Sequence, residues 1–118
     1  MTKGKGIHDK TLDLLVGRLE KGNRYKFLRS KVYYYERGLQ GEVDVFTQIK
    51  SPHKKSNTRK AWVHFYEVKS NYNKRNYYKA VKQYKRFCKA HPWFSSKGIM
   101  VTPQKVVRLY ENGNNRFR

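Results

Sequence analysis

The sequence predicts a single α/β domain in which a central mixed β-sheet is flanked by helices. Two segments, residues 7–21 and 77–88, place apolar side chains at the three- and four-residue spacing of one helix face. Segments rich in aromatic and β-branched residues, the composition of strands, lie between and after these helices. This order of elements over 118 residues suits one compact domain.

The N-terminal part of the chain predicts a basic tail, a helix and a first strand. Residues 1–6 hold two Lys and two Gly and little to bury, so we expect a flexible tail before a domain of residues 7–118. A first helix is predicted over Ile7–Lys21, and Gly22-Asn23 ends it. A short strand is predicted at Tyr25–Arg29, which Val32–Tyr35 either extends or accompanies as a neighbour.

The middle of the chain predicts two strands on either side of a basic loop. After a turn at Gly38–Gly41, the segment Glu42–Thr47 alternates between apolar and polar residues as a strand does. Residues 50–60 carry five basic side chains with Ser, Pro and Asn and predict a polar loop. The segment Trp62–Lys69 is aromatic and β-branched almost throughout, which predicts a second strand.

The C-terminal part predicts a helix and two further strands. Turn and capping residues occupy Asn71–Asn76, and the helix that follows ends before Pro92. A short strand is predicted at Gly98–Pro103, and an edge strand at Val106–Tyr110. The apolar stripe of the helix comprises Tyr77, Ala80, Val81, Tyr84, Phe87 and Cys88.

The net charge predicts a polyanionic partner. There are 28 Lys and Arg against 8 Asp and Glu, which gives a formal charge of +20, more than solubility requires. The apolar runs are far shorter than the ~20 residues that span a bilayer, so no membrane partner is expected. The N-terminus does not resemble a secretion signal, and a single cysteine, Cys88, forms no intrachain disulfide. We therefore expect an intracellular, cytoplasmic protein, in the host cytoplasm if a virus encodes it, with Cys88 in the core.

Three of the eight acidic residues fall inside two predicted strands. Because side chains alternate along a strand, Glu42 and Asp44 are expected on one face, and Glu67 and Lys69 likewise. If the two strands pair across the basic loop, the carboxylates meet beside an ammonium group. Buried charges are costly unless they are paired or bind a metal, so an acid cluster there favours a divalent cation.

This constellation suits the hydrolysis of a phosphodiester bond. The reaction needs a water that is nucleophilic at neutral pH, and it needs neutralisation of the charge on the transition state. Mg²⁺ held by Asp44 and Glu67 supplies both, because it prefers oxygen ligands and keeps several waters; Mn²⁺ can substitute for it. Lys69 is placed to position the attacking water or to offset the developing charge.

The segments Gly41-Glu-Val-Asp44 and Tyr66-Glu-Val-Lys-Ser70 resemble the motif core of the PD-(D/E)xK nuclease superfamily. The resemblance covers roughly residues 7–103 and implies a restriction-endonuclease-like fold. It implies that Asp44 and Glu67 are metal ligands and that Lys69 is catalytic. Size, the basic N-terminus and the residues of the second segment look most like the archaeal-type Holliday junction resolvases, which also occur in viruses.

The resemblance also indicates further site residues and two departures. The resolvases carry a metal-binding Glu in the first helix, and here Asp9 is the nearest substitute and His8 the next, although Asp9 also suits a helix cap. Glu42 is either a further metal-site residue or a solvent-facing acid. Gln83 is similar to a helical glutamine of several branches. The sequence before Asp44 reads Gly-Glu-Val rather than Pro, as in other small nucleases of the superfamily.

Basic side chains distributed over the chain are the expected phosphate contacts. Arg29 and Ser30 follow the first strand, where the resolvases place such residues. Tyr33–Tyr35 offers three interpretations: stacking on unpaired bases, strand core or a dimer contact. The remaining predicted DNA contacts are Lys3, Lys5, Lys54, Lys55, Arg59, Lys60, Lys74 and Arg75.

Two classes of function follow. The first is a Mg²⁺-dependent endonuclease that resolves four-way DNA junctions as a homodimer, whose two-fold symmetry matches that of the junction; another repair or recombination nuclease of the same superfamily is its variant. A dimer requires an apolar patch, for which we predict Tyr33–Tyr35, Tyr77, Tyr78 and Trp93-Phe94. The second class is a non-catalytic basic nucleic-acid-binding protein, which explains the charge but not the acids beside Lys69.

Overall fold

The computed structural model describes residues 6–21, 25–49, 61–92 and 94–109. These residues form one mixed five-stranded sheet with a helix on each face, so the predicted α/β class is confirmed. The elements in chain order are α1 (Ile7–Glu20), β1 (Tyr25–Glu36), β2 (Leu39–Ile49), β3 (Ala61–Val68), α2 (Lys74–Ala90), β4 (Phe94–Val101) and β5 (Val106–Leu109).

The strands lie in the sheet in chain order, β1-β2-β3-β4-β5. The first three strands are mutually antiparallel, β3 and β4 are parallel and are joined by α2, and β5 returns antiparallel along one edge. The predicted pairing of the two acid-bearing strands is thus confirmed, from Val45 opposite Tyr66 to Ile49 opposite Trp62. The predicted basic loop, residues 50–60, lies outside the described residues.

Each helix covers one face of the sheet with a separate apolar core. The core beneath α1 is formed by Leu12, Val45, Tyr66, Val68 and Val101. The larger core beneath α2 is formed by Val43, Val63, Phe65, Tyr77, Ala80, Val81, Tyr84, Phe87, Met100 and Leu109. The predicted apolar stripes of both helices therefore face the sheet, and half-buried Cys88 packs at the margin of the second core.

The boundaries of the helices have local causes. The side chain of Asn73 accepts a hydrogen bond from the backbone N–H of Asn76 at 2.8 Å, which caps the start of α2. α2 ends at Ala90, just before Pro92, as predicted. At α1 the residue before the helix is Gly6, which makes no side-chain cap, and Asp9 lies in the first turn, near the positive end of the helix dipole. The predicted helix stop at Gly22-Asn23 lies outside the described residues.

β1 and β2 form a long hairpin, and Val32–Tyr35 extends the first strand. The turn is tighter than predicted, because only Arg37 and Gly38 lie outside the strands, both with positive φ (53° and 75°). Such a two-residue turn matches the twist of the flanking strands. Gly41 therefore lies within β2, where a Cβ atom would come 2.5 Å from the hydroxyl oxygen of Tyr34, its cross-strand neighbour.

At one level of the hairpin, the side chains of both strands stop alternating regularly between the two faces of the sheet. Val43 packs in the core under α2, whereas Val45 packs in the core under α1. On β1, Val32 and Leu28 divide between the two cores in the same way, and Lys31 between them has φ of 52°. The regular alternation of faces along β2 is therefore broken between Val43 and Val45, at the position of Asp44.

The predicted dimer patch is partly wrong. Tyr77 is only 2% exposed and belongs to the core under α2, and half-buried Phe94 packs against the same core. Both side chains are needed to fill the space between α2 and the sheet. Tyr33, Tyr35 and Tyr78 are exposed, and Trp93 lies outside the described residues. Neither α1 nor α2, the helices of the described residues, is long and apolar enough to cross a membrane.

The contact of α2 with β4 depends on a glycine. A Cβ atom at Gly98 would lie 2.7 Å from two ring carbons of Tyr84, close to the base of a buried ring. We expect Gly98→Ala to reduce the free energy of unfolding by about 1–3 kcal/mol, because the ring cannot move without disturbing the core. Urea denaturation followed by circular dichroism measures this loss.

Gly17→Ala is the matched control. Gly17 lies within α1, and a Cβ atom there would meet nothing within 4 Å. Alanine should stabilise the protein by about 0.5–1 kcal/mol, because it restricts the unfolded chain and favours helix. If both variants changed stability equally, the close contact at Gly98 would have no energetic importance.

Candidate active site

Asp44 lies where β2 and β3 separate. The pairing of these strands ends at Val45 and Tyr66, and the next N–H along β3 that faces β2 belongs to Val68. One carboxylate oxygen of Asp44, Oδ2, accepts a hydrogen bond from this N–H at 2.8 Å. The carboxylate thus accepts the hydrogen bond that a carbonyl group of a paired strand would otherwise accept. Asp44 is only 7% exposed and lies against the middle of the Glu67-Val68-Lys69 segment.

Glu67 lies beside Asp44 and is almost completely buried, with 4% exposure. Burial raises the pKa of Glu67 from 4.5 to about 9, and the hydrogen bond and charge of Asp44 add to this effect. Without a bound cation Glu67 is therefore protonated at neutral pH. The other oxygen of Glu67, Oε2, is buried and has no hydrogen-bond partner among the described residues.

Lys69 contributes a positively charged side chain to this cluster. It directly follows β3, and its backbone N–H donates to the carbonyl oxygen of Val101 at 3.0 Å, which ties the residue to β4. The half-buried ammonium group is close enough to Glu67 to act against the increase in the pKa of that carboxyl. The structure thus brings together the three residues that the sequence predicted: Asp44, Glu67 and Lys69.

The first helix contributes His8 to this cluster, and Asp9 contacts His8. The imidazole nitrogen Nε2 of His8 lies 3.4 Å from Oδ2 of Asp44. Its other nitrogen, Nδ1, lies 3.4 Å from an oxygen of Asp9, whose side chain is exposed. A histidine at a helix start is weak evidence for a site when only one sequence is known. The sequence therefore predicted two candidates for the site residue of the first helix, Asp9 and His8.

Glu42 lies at the margin of the site, whereas Gln83 lies on α2. Glu42 is exposed, yet it is near enough to Glu67 to contribute to the raised pKa of that residue. Gln83 is half-buried on α2, and its buried side-chain oxygen has no hydrogen-bond partner in the described part of the chain.

Four of the predicted DNA contacts lie among the described residues. Arg29, Ser30, Lys74 and Arg75 are all exposed. Ser30 lines a cavity of about 380 Å³ between α1 and β1 that also contains three acidic side chains, so its surroundings are not basic. The other predicted contacts lie outside the described residues: Lys3, Lys5, Lys54, Lys55, Arg59 and Lys60.

The donor set of the cluster is small. Within the described ranges, no group of three or more His, Cys, Asp and Glu side chains could hold a metal ion. Two adjacent carboxylates, of which one has an unpartnered buried oxygen, are what Mg²⁺ commonly takes from a protein, because waters and substrate phosphates complete its coordination. The residues present therefore fit the cation that the resemblance implies.

Comparison of the whole chain with protein-family models, with curated proteins and with solved structures found no match. The inference of function therefore depends on the cluster around Asp44 and on the charge of the chain.

The raised pKa of Glu67 predicts how stability varies with pH. Between about pH 4.5 and 9 the folded protein keeps the Glu67 proton, whereas the unfolded chain has released it. Folding takes up a proton in this window, so this residue makes stability fall as the pH rises, by at most about 1.4 kcal/mol per pH unit. Glu67→Gln cannot ionise, so its free energy of unfolding should increasingly exceed that of the wild type from pH 5 to pH 9.

Urea denaturation in EDTA at several pH values measures this difference. Glu36→Gln, which removes an exposed carboxylate from β1, is the control and should keep the wild-type pH dependence. If the free energies of unfolding of Glu67→Gln and the wild type differed by the same amount from pH 5 to pH 9, Glu67 would not be protonated in the folded protein.

Proposed function

We propose that the protein is a metal-dependent endonuclease that hydrolyses phosphodiester bonds in DNA. The observation that carries the proposal is the buried pair Asp44 and Glu67 beside Lys69, in a chain of net charge +20. A protein that meets a polyanion only by charge has no use for two adjacent buried carboxylates, which cost stability. A cation between them removes that cost and draws a phosphate to the site.

Asp44 and Glu67 would hold a Mg²⁺ ion, or Mn²⁺ in its place. When bound, the ion supplies a water of lowered pKa and neutralises charge on the phosphate in the transition state. Glu67 must release its proton to serve as a ligand, and the unpartnered Oε2 atom is then available. The backbone N–H of Val68 orients Asp44 and prevents it from turning away.

Lys69 acts next to this pair. Its ammonium group either positions the attacking water or stabilises the negative charge that develops on the phosphate, and it favours the ionised form of Glu67. The hydrogen bond from its backbone N–H to Val101 fixes the start of the side chain against β4. His8 lies on the other side of Asp44 and offers an imidazole nitrogen to the same carboxylate.

Conservative variants of the three residues test the proposal. Asp44→Asn retains an acceptor for the Val68 N–H, and Glu67→Gln resembles protonated Glu67, so both should fold. We expect both to lose Mg²⁺-dependent cleavage of labelled DNA and to bind DNA as tightly as the wild type or more tightly. Lys69→Met should lower turnover by about 10²- to 10³-fold, the range of a lost group that stabilises charge in the transition state.

The matched control and the first-helix residues complete the experiment. Glu36→Gln removes one exposed carboxylate and should leave cleavage unchanged. His8→Gln should lower cleavage more than Asp9→Asn, because His8 contacts Asp44 and the side chain of Asp9 is exposed. If the wild type binds DNA but does not cut it with Mg²⁺ or Mn²⁺, the protein is a non-catalytic nucleic-acid-binding protein.

Within this class, we propose that the substrate is a four-way DNA junction, resolved by a homodimer that makes paired nicks. The resemblance of the Asp44 and Glu67 segments to the archaeal-type resolvases supports this substrate, and the symmetry of the junction supports two active sites. A net charge of +20 per chain opposes association, so an apolar surface or bound DNA must offset the repulsion.

Sedimentation and binding experiments test the substrate. At micromolar concentration we expect a dimer, a much higher affinity for a junction than for a linear duplex of the same sequence, and two symmetrical nicks. A monomer both free and on the junction, or equal affinity for junction and duplex, would leave a nuclease of the same superfamily with another DNA substrate.

A further inference from the structure

Two tyrosine side chains project from the β1–β2 hairpin. Tyr33 and Tyr35 are 75% and 73% exposed, more than the other large apolar side chains that the described residues expose. Tyr34 points the opposite way, and its ring packs edge-on against Phe87 and His91. Because side chains alternate along a strand, Tyr33 and Tyr35 share the face that turns away from this core.

These tyrosines belong to a two-stranded arm beside the candidate active site. β3 pairs with β2 only from Val45 onward, so residues 32–43, here called the tyrosine arm, pair with each other beyond the last pair between β2 and β3. Tyr33 lies opposite Glu42, two residues from Asp44, which is about 7 Å along the strand. Glu42 is in turn close enough to Glu67 to influence it electrostatically. The arm therefore begins at the carboxylate pair.

The charges around the two rings favour nucleic acid in a particular orientation. Lys31 precedes Tyr33 by two residues and Arg37 follows Tyr35 by two residues; both are exposed, and both have a positive φ that interrupts the regular alternation of the strand. A basic residue on either side of the two rings along the chain suits bases on the rings and phosphates at the two ends. Glu42, opposite Tyr33, repels a phosphate from the rings but does not oppose the neutral face of a base.

We propose that the tyrosine arm stacks on unpaired bases of DNA, next to the phosphodiester that Asp44 and Glu67 face. The position of the stack relative to that bond rests on the proposed function. Side chains two residues apart on a strand are separated by about 7 Å, which equals two stacking distances of about 3.4 Å. One base therefore fits between Tyr33 and Tyr35. A second copy of the chain suits this surface less well, because each copy carries +20.

Fluorescence of 2-aminopurine tests the proposal in the full-length protein, with EDTA present to prevent cleavage. The probes are a duplex with a single-stranded tail that contains 2-aminopurine and a blunt duplex of the same sequence. We expect the wild type to quench the fluorescence of the tail. Tyr33→Thr and Tyr35→Thr, which retain the strand preference of the arm, should lose the quenching and bind the tailed DNA about tenfold more weakly each.

Three controls separate stacking from charge and from folding. Affinity for the blunt duplex should change less than about twofold, and the salt dependence should stay the same, because no phosphate contact is lost. Tyr33→Phe and Tyr35→Phe should restore the quenching. Leu14→Thr changes a 66% exposed apolar residue of α1 and should change neither affinity nor quenching.

Three outcomes would overturn the proposal: unchanged affinity for the tailed DNA, equal weakening on both DNAs, or a wild-type dimer that the threonine variants dissociate. Addition of Mg²⁺ distinguishes this proposal from the proposed function. Quenching without subsequent cleavage supports stacking by the tyrosine arm and contradicts the proposed nuclease activity. Cleavage by the wild type, together with unchanged DNA affinity of the threonine variants, supports the nuclease activity and contradicts stacking.

Discussion

The hydrogen bond from the Val68 N–H to Asp44 holds the candidate site together. It joins two residues that are 24 positions apart, and it forms at the level where β2 stops pairing with β3. A backbone N–H buried without a partner is costly, so the carboxylate has a structural role there. The same bond keeps Asp44 next to Glu67, where its charge adds to the effect of burial on the pKa of Glu67.

The separation of the strands has a second consequence on the other side of Asp44. β1 and β2 continue as a two-stranded arm, and both strands change faces near Lys31, which has a left-handed backbone conformation. A residue other than glycine in this conformation costs about 1–2 kcal/mol. The change of face lets Val43 and Val45 enter different cores and leaves Asp44 between them. Backbone strain of this kind is common where a site must be positioned.

Electrostatics connect the site to the chain as a whole. A charge of +20 attracts any polyanion, and almost any arrangement of 28 basic residues could provide it. The carboxylate pair, by contrast, has a defined position, where a cation could replace the proton of Glu67. If the pair binds a cation as proposed, release of the Glu67 proton would couple that binding to pH. General attraction and local chemistry are thus separate properties of this molecule.

Local patterns in the sequence were enough to predict the helices and the three residues that meet at the candidate site. Periodicity identified both helices and the strands that carry Asp44 and Glu67, because alternation and helical spacing are local properties. The level at which β2 leaves β3, the contact of His8 with Asp44 and the burial that raises the pKa of Glu67 arise only in the tertiary structure. Each depends on how α1 and the sheet pack together, and such long-range contacts leave no periodic pattern in a single sequence.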